Sequence, residues 1–266
     1  MPFAMIGFSF GVLYEHKSFE WQKLIAVILC MLFARSAAMA FNRWLDANFD
    51  KQNPRTAIRE IPAGIISSKN ALFFVIANCI LFIITTFFIN TICFHLSPIA
   101  LFVILFYSYT KRFTALCHLV LGVGLSLAPI GAFLAVTGYF HVLPILFSIA
   151  VFTWVGGFDI VYALQDKDFD SSQNLKSIPV WLGTKNAIVV SILLHVITAI
   201  CIIAAGVLFS FNWVYWTGAL IFIALLTYQH ILVKPNDFSK INLAFFTTNG
   251  IASLIFSVFV IVSQLI

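Results

Sequence analysis

The chain has 266 residues, of which 62% are hydrophobic and only 9% charged, with a formal net charge of +5. A soluble domain carries about 25% charged residues, so the composition excludes one. The basic excess needs a topological explanation before a nucleic-acid one, and the reading is a polytopic helical membrane protein.

Met1 to Leu13 is apolar but spans only about two-thirds of a bilayer. Its opening has no basic n-region, so no cleavable signal peptide is expected. A short polar loop, Tyr14 to Glu20, precedes a second helix from about Trp21 to Asn42. Arg35 lies inside that helix, seven residues before Asn42 and on its face. Residues 43–69 read as a long polar loop. A third helix is expected from about Ala71 to Asn90 and a fourth from about Ser97 to Tyr109. After the basic turn Lys111-Arg112, a fifth runs from about Ala115 to Thr137, with Gly122, Gly124, Ser126 and Gly131 for close packing. The sixth spans about Leu143 to Leu164 and leads into a second polar loop, Gln165 to Lys185. The seventh, eighth and ninth are placed at about Asn186 to Phe209, Trp213 to Val233 and Leu243 to Gln264.

The cations follow this count. Arg43, Lys51, Arg55, Arg59, Lys69, Lys111, Arg112, Lys167, Lys176, Lys185, Lys234 and Lys240 fall after the even helices, and Lys17 and Lys23 after the first. The positive-inside rule puts the even loops in the cytoplasm and explains each loop cation without any site.

The acids are distributed quite differently. Six of the ten Asp and Glu residues fall in two stretches, residues 42–50 and 159–170. Asn42, Asp46 and Asp50 are spaced i, i+4, i+8, and Asp159, Asp166 and Asp170 are spaced i, i+7, i+11, so each set is expected on one helical face. Carboxylates at the edge of apolar segments need a partner. Asp46, Asp50, Asp166 and Asp170 can hold one or two Mg²⁺ ions, which favour oxygen ligands shared with phosphate. Arg55, Arg59, Lys111 and Arg112 suit phosphate charge. The combination points to an amphiphile with its diphosphate in a polar mouth and its hydrocarbon tail between helices, the metal making the diphosphate a better leaving group. The two stretches also hint at an internal pseudo-repeat that brings the clusters face to face.

Several motifs in order carry a resemblance. Asn42, Asp46 and Asp50 are followed by Arg55-Thr56 and by Arg59-Glu60-Ile61-Pro62-Ala63-Gly64. Then come Tyr107-Ser108-Tyr109-Thr110-Lys111-Arg112, the set Asp159, Tyr162, Ala163, Asp166 and Asp170, and Lys176-Ser177. This resembles the UbiA-type intramembrane prenyltransferases, nearest the 4-hydroxybenzoate polyprenyltransferase branch, over essentially the whole chain. The resemblance implies one transmembrane domain, 1–266, of nine helices around a central cavity open to the cytoplasm, multi-pass in a bacterial inner membrane. It implies Mg²⁺-dependent transfer of a polyprenyl group from polyprenyl diphosphate to an aromatic acid in ubiquinone- or menaquinone-type biosynthesis. 4-Hydroxybenzoate is the favoured acceptor, with a dihydroxynaphthoate or another aromatic ring as the alternative.

By the same resemblance, Asp46, Asp50, Asp166 and Asp170 with Asn42 hold metal and diphosphate, Asp46 and Asp166 counting as catalytic. Arg55, Arg59, Lys111, Arg112, Tyr162 and Lys176 bind substrate, and Tyr107 shields an allylic cation. Asp159 orients or deprotonates the phenol, and Arg35 takes the aromatic carboxylate. Members usually have a further stretch before the Pro-Phe-Ala of the first helix, so that helix is expected to be truncated. Arg43 stands where an acid often follows the motif Asn.

Elsewhere plainer roles are expected. Asp168 lies off the acidic face. His95, His118, His141, His195 and His230 share no metal-ligand spacing and are expected in loops or interfaces. Trp213 and Trp216 read as interface anchors, Gly122-x-Gly124 as helix packing, and the five cysteines as small apolar filler. The competing class is a cation-coupled transporter, with the pseudo-repeat giving alternating access.

Overall fold

A computed structural model describes residues 1–15, 19–233 and 241–266. Lys17, Lys234 and Lys240, three of the cations counted above, lie outside the described residues. Among the described residues every regular element is a helix: α1 (Pro2–Tyr14), α2 (Trp21–Leu45), α3 (Ala47–Gln52), α4 (Ser68–Ile89), α5 (Thr91–Thr110), α6 (Cys117–Thr137), α7 (Val142–Ala163), α8 (Lys167–Ser172), α9 (Ile178–Leu208), α10 (Trp213–Leu232) and α11 (Asn249–Ser263). Eight helices of the described residues are long and apolar enough to cross a bilayer, with α1 a ninth, shorter apolar helix. At ~1.5 Å rise per residue α1 reaches only ~20 Å.

Short polar side chains fix the helix starts. Ser67 accepts from Asn70 N, Asn90 from Cys93 N, Ser177 from Val180 N and Asn212 from Val214 N, each satisfying a backbone donor that the first turn leaves open. Two expected boundaries need correction, and a further helix keeps its bounds but starts irregularly. The fourth helix begins at Thr91, before Pro98. Pro98 cannot donate to Phe94 O, and Ser97 Oγ donates to that carbonyl instead at 2.8 Å. The seventh begins eight residues early, at Ile178, and turns at Gly183, whose φ of +76° suits glycine. The ninth opens with a π-turn, Leu243–Thr248, before α11.

Two helices organise the bundle. α7 packs on α6 and α9, and α1 is wedged against α6 and α11. Phe3 of α1, Trp154 of α7, Phe222 of α10 and Phe256 of α11 meet in one aromatic core, with Phe3 5.4 Å from Trp154 and 5.8 Å from Phe256 between ring centres. In lipid, packing and interhelical hydrogen bonds do the work that water exclusion does elsewhere. Thr153 and Thr198 hydroxyls pair at 2.7 Å, Trp154 Nε1 donates to Asn249 Oδ1 at 3.1 Å, and Tyr215 OH donates to Ile202 O at 2.7 Å. His195 Nδ1 lies 2.8 Å from His230 Nε2. These two histidines bridge α9 and α10 and are not loop residues, because a buried imidazole in an apolar span needs a polar partner.

α1 and α6 touch through Gly7. A Cβ placed there would lie 2.0 Å from Pro129 O, a backbone atom with no room to rotate away. Gly7→Ala is therefore expected to force the helices apart and cost ~1–3 kcal/mol. A lower thermal unfolding midpoint in detergent, compared with Gly131→Ala, whose Cβ meets nothing within 4 Å, checks this.

Candidate active site

Both acidic stretches fold the same way. α2 ends at Asp46 (φ −92°, ψ 5°) and the six-residue α3 follows, carrying Asp50. α7 ends in a 3₁₀ turn, Leu164–Asp166, and the six-residue α8 follows from Asp166 (φ −101°, ψ 3°), carrying Asp170. In each, the middle Asp sits in the bridge region of backbone space, at the break between a spanning helix and a short one. The expectation of one continuous helical face is thus corrected. The break turns the last Asp inward, leaving Asp50 6% and Asp170 1% exposed. The two corners thus match in local geometry.

The corners meet. Arg55, in the loop after α3, grips Asp166 with both arms: Nε donates to Oδ1 at 3.0 Å and Nη2 to Oδ2, while Nη1 donates to Tyr162 OH at 3.0 Å. Asn53 stiffens the grip. Its Nδ2 donates to Asp166 Oδ1 at 3.2 Å and its Oδ1 accepts from Arg55 N at 3.0 Å. Residues more than 100 positions apart are in direct contact, so the carboxylate clusters share one end of the bundle.

All four carboxylates of the proposed metal set have a cation. Arg59 Nη1 donates to both oxygens of Asp50 at 2.8 Å, and Lys111 Nζ lies 2.7 Å from Asp170 Oδ1. Arg112 Nη2 donates to Asp46 Oδ1 at 2.9 Å and to Leu45 O at 3.1 Å, and Nη1 donates to Ser108 O at 3.0 Å. Arg112 thereby closes the end of α2 as well as pairing its acid. Asn42 Nδ2 donates to Asp46 Oδ2 at 3.2 Å. Burial raises the Asp46 carboxyl above the usual range, while Arg112 and Lys111 oppose it. For Lys111, burial works against the ammonium, but Asp170, with Asp166 and Asp46, outweighs it and raises the pKa, so the charge is held.

Among the described residues no three of His, Cys, Asp and Glu converge as a metal-binding group. Adjacent carboxylates repel, and one base pairs with each of the four.

The remaining predicted residues fall around this array. Tyr107 is half-buried on α5 within electrostatic reach of Asp46 and Asp159. Lys176 is exposed; its N donates to Lys111 O at 2.8 Å and its Nζ to Phe113 O at 3.1 Å. Arg35 is exposed on α2 and forms no hydrogen bond or ion pair among the described residues. Arg43 pairs with Glu60, bracing the loop, and Asp168 is exposed, off the array as expected. A cavity of about 550 Å³ lies at the opposite end, between Phe10, Tyr14, Phe209 and Phe211. Sequence reading missed two residues. Asn53 was signalled only by the Asn-Pro turn it opens. His118, on α6, was assigned to a loop or interface but is 4% exposed, with Nδ1 2.7 Å from Asp159 Oδ2.

The model of the UbiA prenyltransferase family matches residues 1–251. The chain belongs to this family. It is 28% identical over 250 residues to the 4-hydroxybenzoate octaprenyltransferase of Francisella tularensis subsp. mediasiatica (strain FSC147), covering 94% of this chain and 88% of that one. It is 30% identical over 239 residues to the protein of that name from Aliivibrio fischeri (strain MJ11), covering 89% and 82%. The apo structure of a UbiA homolog from Aeropyrum pernix K1 superposes with a TM-score of 0.88 at 27% identity, covering 98% of this chain and 96% of that one. A UbiA homolog from Archaeoglobus fulgidus bound to DMAPP and Mg²⁺ shares the fold, with a TM-score of 0.73 at 20% identity, covering 100% and 96%. This UbiA-family member is a membrane prenyltransferase, and the transporter reading is set aside.

Proposed function

We propose that this enzyme transfers a polyprenyl group from its diphosphate to an aromatic acid, 4-hydroxybenzoate in the first instance, as a step of lipoquinone biosynthesis. One observation carries the reading: carboxylates and bases from both halves of the chain interlock at the head of an apolar bundle, through Arg55–Asp166, Arg59–Asp50, Lys111–Asp170 and Arg112–Asp46. The names of the curated relatives support the acceptor class. We read the whole chain, 1–266, as one such domain, with the array on the cytoplasmic side because the loop cations gather there.

The array suits a ligand carrying both signs of charge. Asp46, Asp50, Asp166 and Asp170 are all-oxygen donors of the kind Mg²⁺ takes, with Asn42 beside Asp46. Bound there, Mg²⁺ would supply Lewis-acid stabilisation of the departing diphosphate. The bases released from the carboxylates, Arg55, Arg59 and Lys111, turn to phosphate oxygens, so charge balance is kept through the exchange. Arg112 stays tied to two backbone carbonyls and holds Asp46 in place, and Lys176 adds charge beside Lys111. As the allylic C–O bond breaks, Tyr107 and Tyr162 face the cationic carbon with their rings. Asp159, two turns below Asp166 on α7, accepts the acceptor's hydroxyl, and Arg35, two turns below Asn42 on α2, takes its carboxylate. The ring carbon then attacks, forming the C–C bond as the diphosphate leaves, and the hydrogen on that carbon is lost as a proton to water, restoring the aromatic ring.

Membranes containing the protein, incubated with labelled prenyl diphosphate, Mg²⁺ and a panel of aromatic acids, test this. Prenylated 4-hydroxybenzoate should form and be lost with EDTA or with Asp46→Ala. Product surviving Asp46→Ala would reject the metal assignment, and product with only a dihydroxynaphthoate would move the acceptor.

A further inference from the structure

Asp159 and His118 form a pair outside the ion-pair array. His118 sits in the first turn of α6 and Asp159 in the second half of α7, with Nδ1 and Oδ2 2.7 Å apart. The histidine side chain is 5% exposed and the aspartate side chain 22%. The carboxylate can only accept, so Nδ1 carries the hydrogen and donates. His118 Nε2 is buried without a hydrogen-bond partner. Asp159 Oδ1 makes no hydrogen bond among the described residues.

Placement gives the pair its meaning. Asp159 and Tyr162, three residues apart, share a face of α7, and Asp166 closes the 3₁₀ turn that follows. Tyr162 and Asp166 already hold Arg55, and Asp159 lies seven residues, ~10 Å, deeper into the bundle than Asp166. An acceptor ring that attacks the carbon next to a diphosphate must sit below the charged mouth.

We propose that His118 is a positioning residue for acceptor recognition. It pins Asp159 by one oxygen, Oδ2, and so presents the other, Oδ1, to the ring hydroxyl of the aromatic substrate. A carboxylate on an apolar wall has two alternatives without such a donor: it swings toward the cations of the mouth or gives up its charge. Either would withdraw the acceptor's hydrogen-bond partner. His118 transfers no proton in this role. Its imidazole needs only to be a fixed N–H. The inference rests on Asp159 as the acceptor's hydroxyl partner, as set out under the proposed function.

The test uses the purified full chain in lipid nanodiscs with Mg²⁺. It compares His118→Leu, His118→Asn, Asp159→Ala and the double variant His118→Leu/Asp159→Ala. For His118→Leu, kcat/KM for the aromatic acid should fall about 10- to 100-fold, the loss expected for one hydrogen bond to a charged group. Affinity for the prenyl diphosphate, measured directly by titration, should stay within about twofold, since the array is untouched. His118→Asn should recover most of the loss, because the asparagine Nδ2–H reaches the place of the histidine Nδ1–H. In the Asp159→Ala background His118→Leu should cost nothing more, since a residue acting through Asp159 has nothing left to position. The proposal is overturned if His118→Leu keeps its acceptor kinetics, weakens diphosphate binding as much as acceptor use, or costs the same with and without Asp159. It is likewise overturned if His118→Asn, folded by its unfolding midpoint, is as impaired as His118→Leu. Unchanged acceptor kinetics in Asp159→Ala would instead reject the reading of Asp159 itself.

Discussion

Replacing Asp166 by asparagine is expected to lower prenyl transfer by about 10³-fold, equivalent to ~4 kcal/mol of transition-state stabilisation. Asp166 carries more contacts across the two halves than any other carboxylate of the array: both arms of Arg55 and the amide of Asn53 end on it. The amide is nearly isosteric, but one oxygen becomes an NH₂ facing the Arg55 guanidinium, donor against donor. Arg55 loses its fork, and the proposed metal loses an anionic ligand. Both consequences act on the leaving diphosphate, so kcat should fall at saturating acceptor. Single-turnover rates in nanodiscs, with the aromatic acid in excess, separate this from a failure of acceptor binding. A variant retaining more than about a tenth of the wild-type rate would remove Asp166 from the chemistry and leave it as an interhelical strut.

Much of this site could be read from residue types, because the bilayer makes them informative. A carboxylate at the end of an apolar helix is costly, so Asp46, Asp50, Asp166 and Asp170 stood out. Their convergence followed from the two corners having similar spacing. The breaks at Asp46 and Asp166 were not legible. The run from Asn42 to Asp50 keeps helical periodicity, and what ends α2 is a guanidinium from 67 residues away, Arg112 on Leu45 O. His118 was invisible for the same reason. Its partner lies 41 residues on, in another helix, and no local spacing encodes a contact between α6 and α7. Residues 91–96 read as a loop, because Ser97-Pro98 looks like a helix start. Only the Ser97 hydroxyl on Phe94 O shows how the helix carries a proline.

Lys111→Met should damage both folding and catalysis, and the two can be separated. Asp170 is 1% exposed and pairs with Lys111. Removing the ammonium leaves a carboxylate buried without its counter-charge, a defect of ~3–5 kcal/mol. The variant is therefore expected to unfold at a markedly lower temperature and to bind prenyl diphosphate poorly. The double variant Lys111→Met/Asp170→Asn removes the charge on both sides. Its unfolding midpoint should return most of the way to wild type, because neutralising a buried pair costs far less than breaking one. Activity should not return. With both charges gone, the diphosphate has neither the ammonium to accept it nor the carboxylate that would share its metal. Stability recovered without activity means that the pair is kept for the ligand it exchanges with. If activity returned together with stability, Lys111–Asp170 would be a structural strut, and charge neutralisation at the mouth would fall to Arg55 and Arg59.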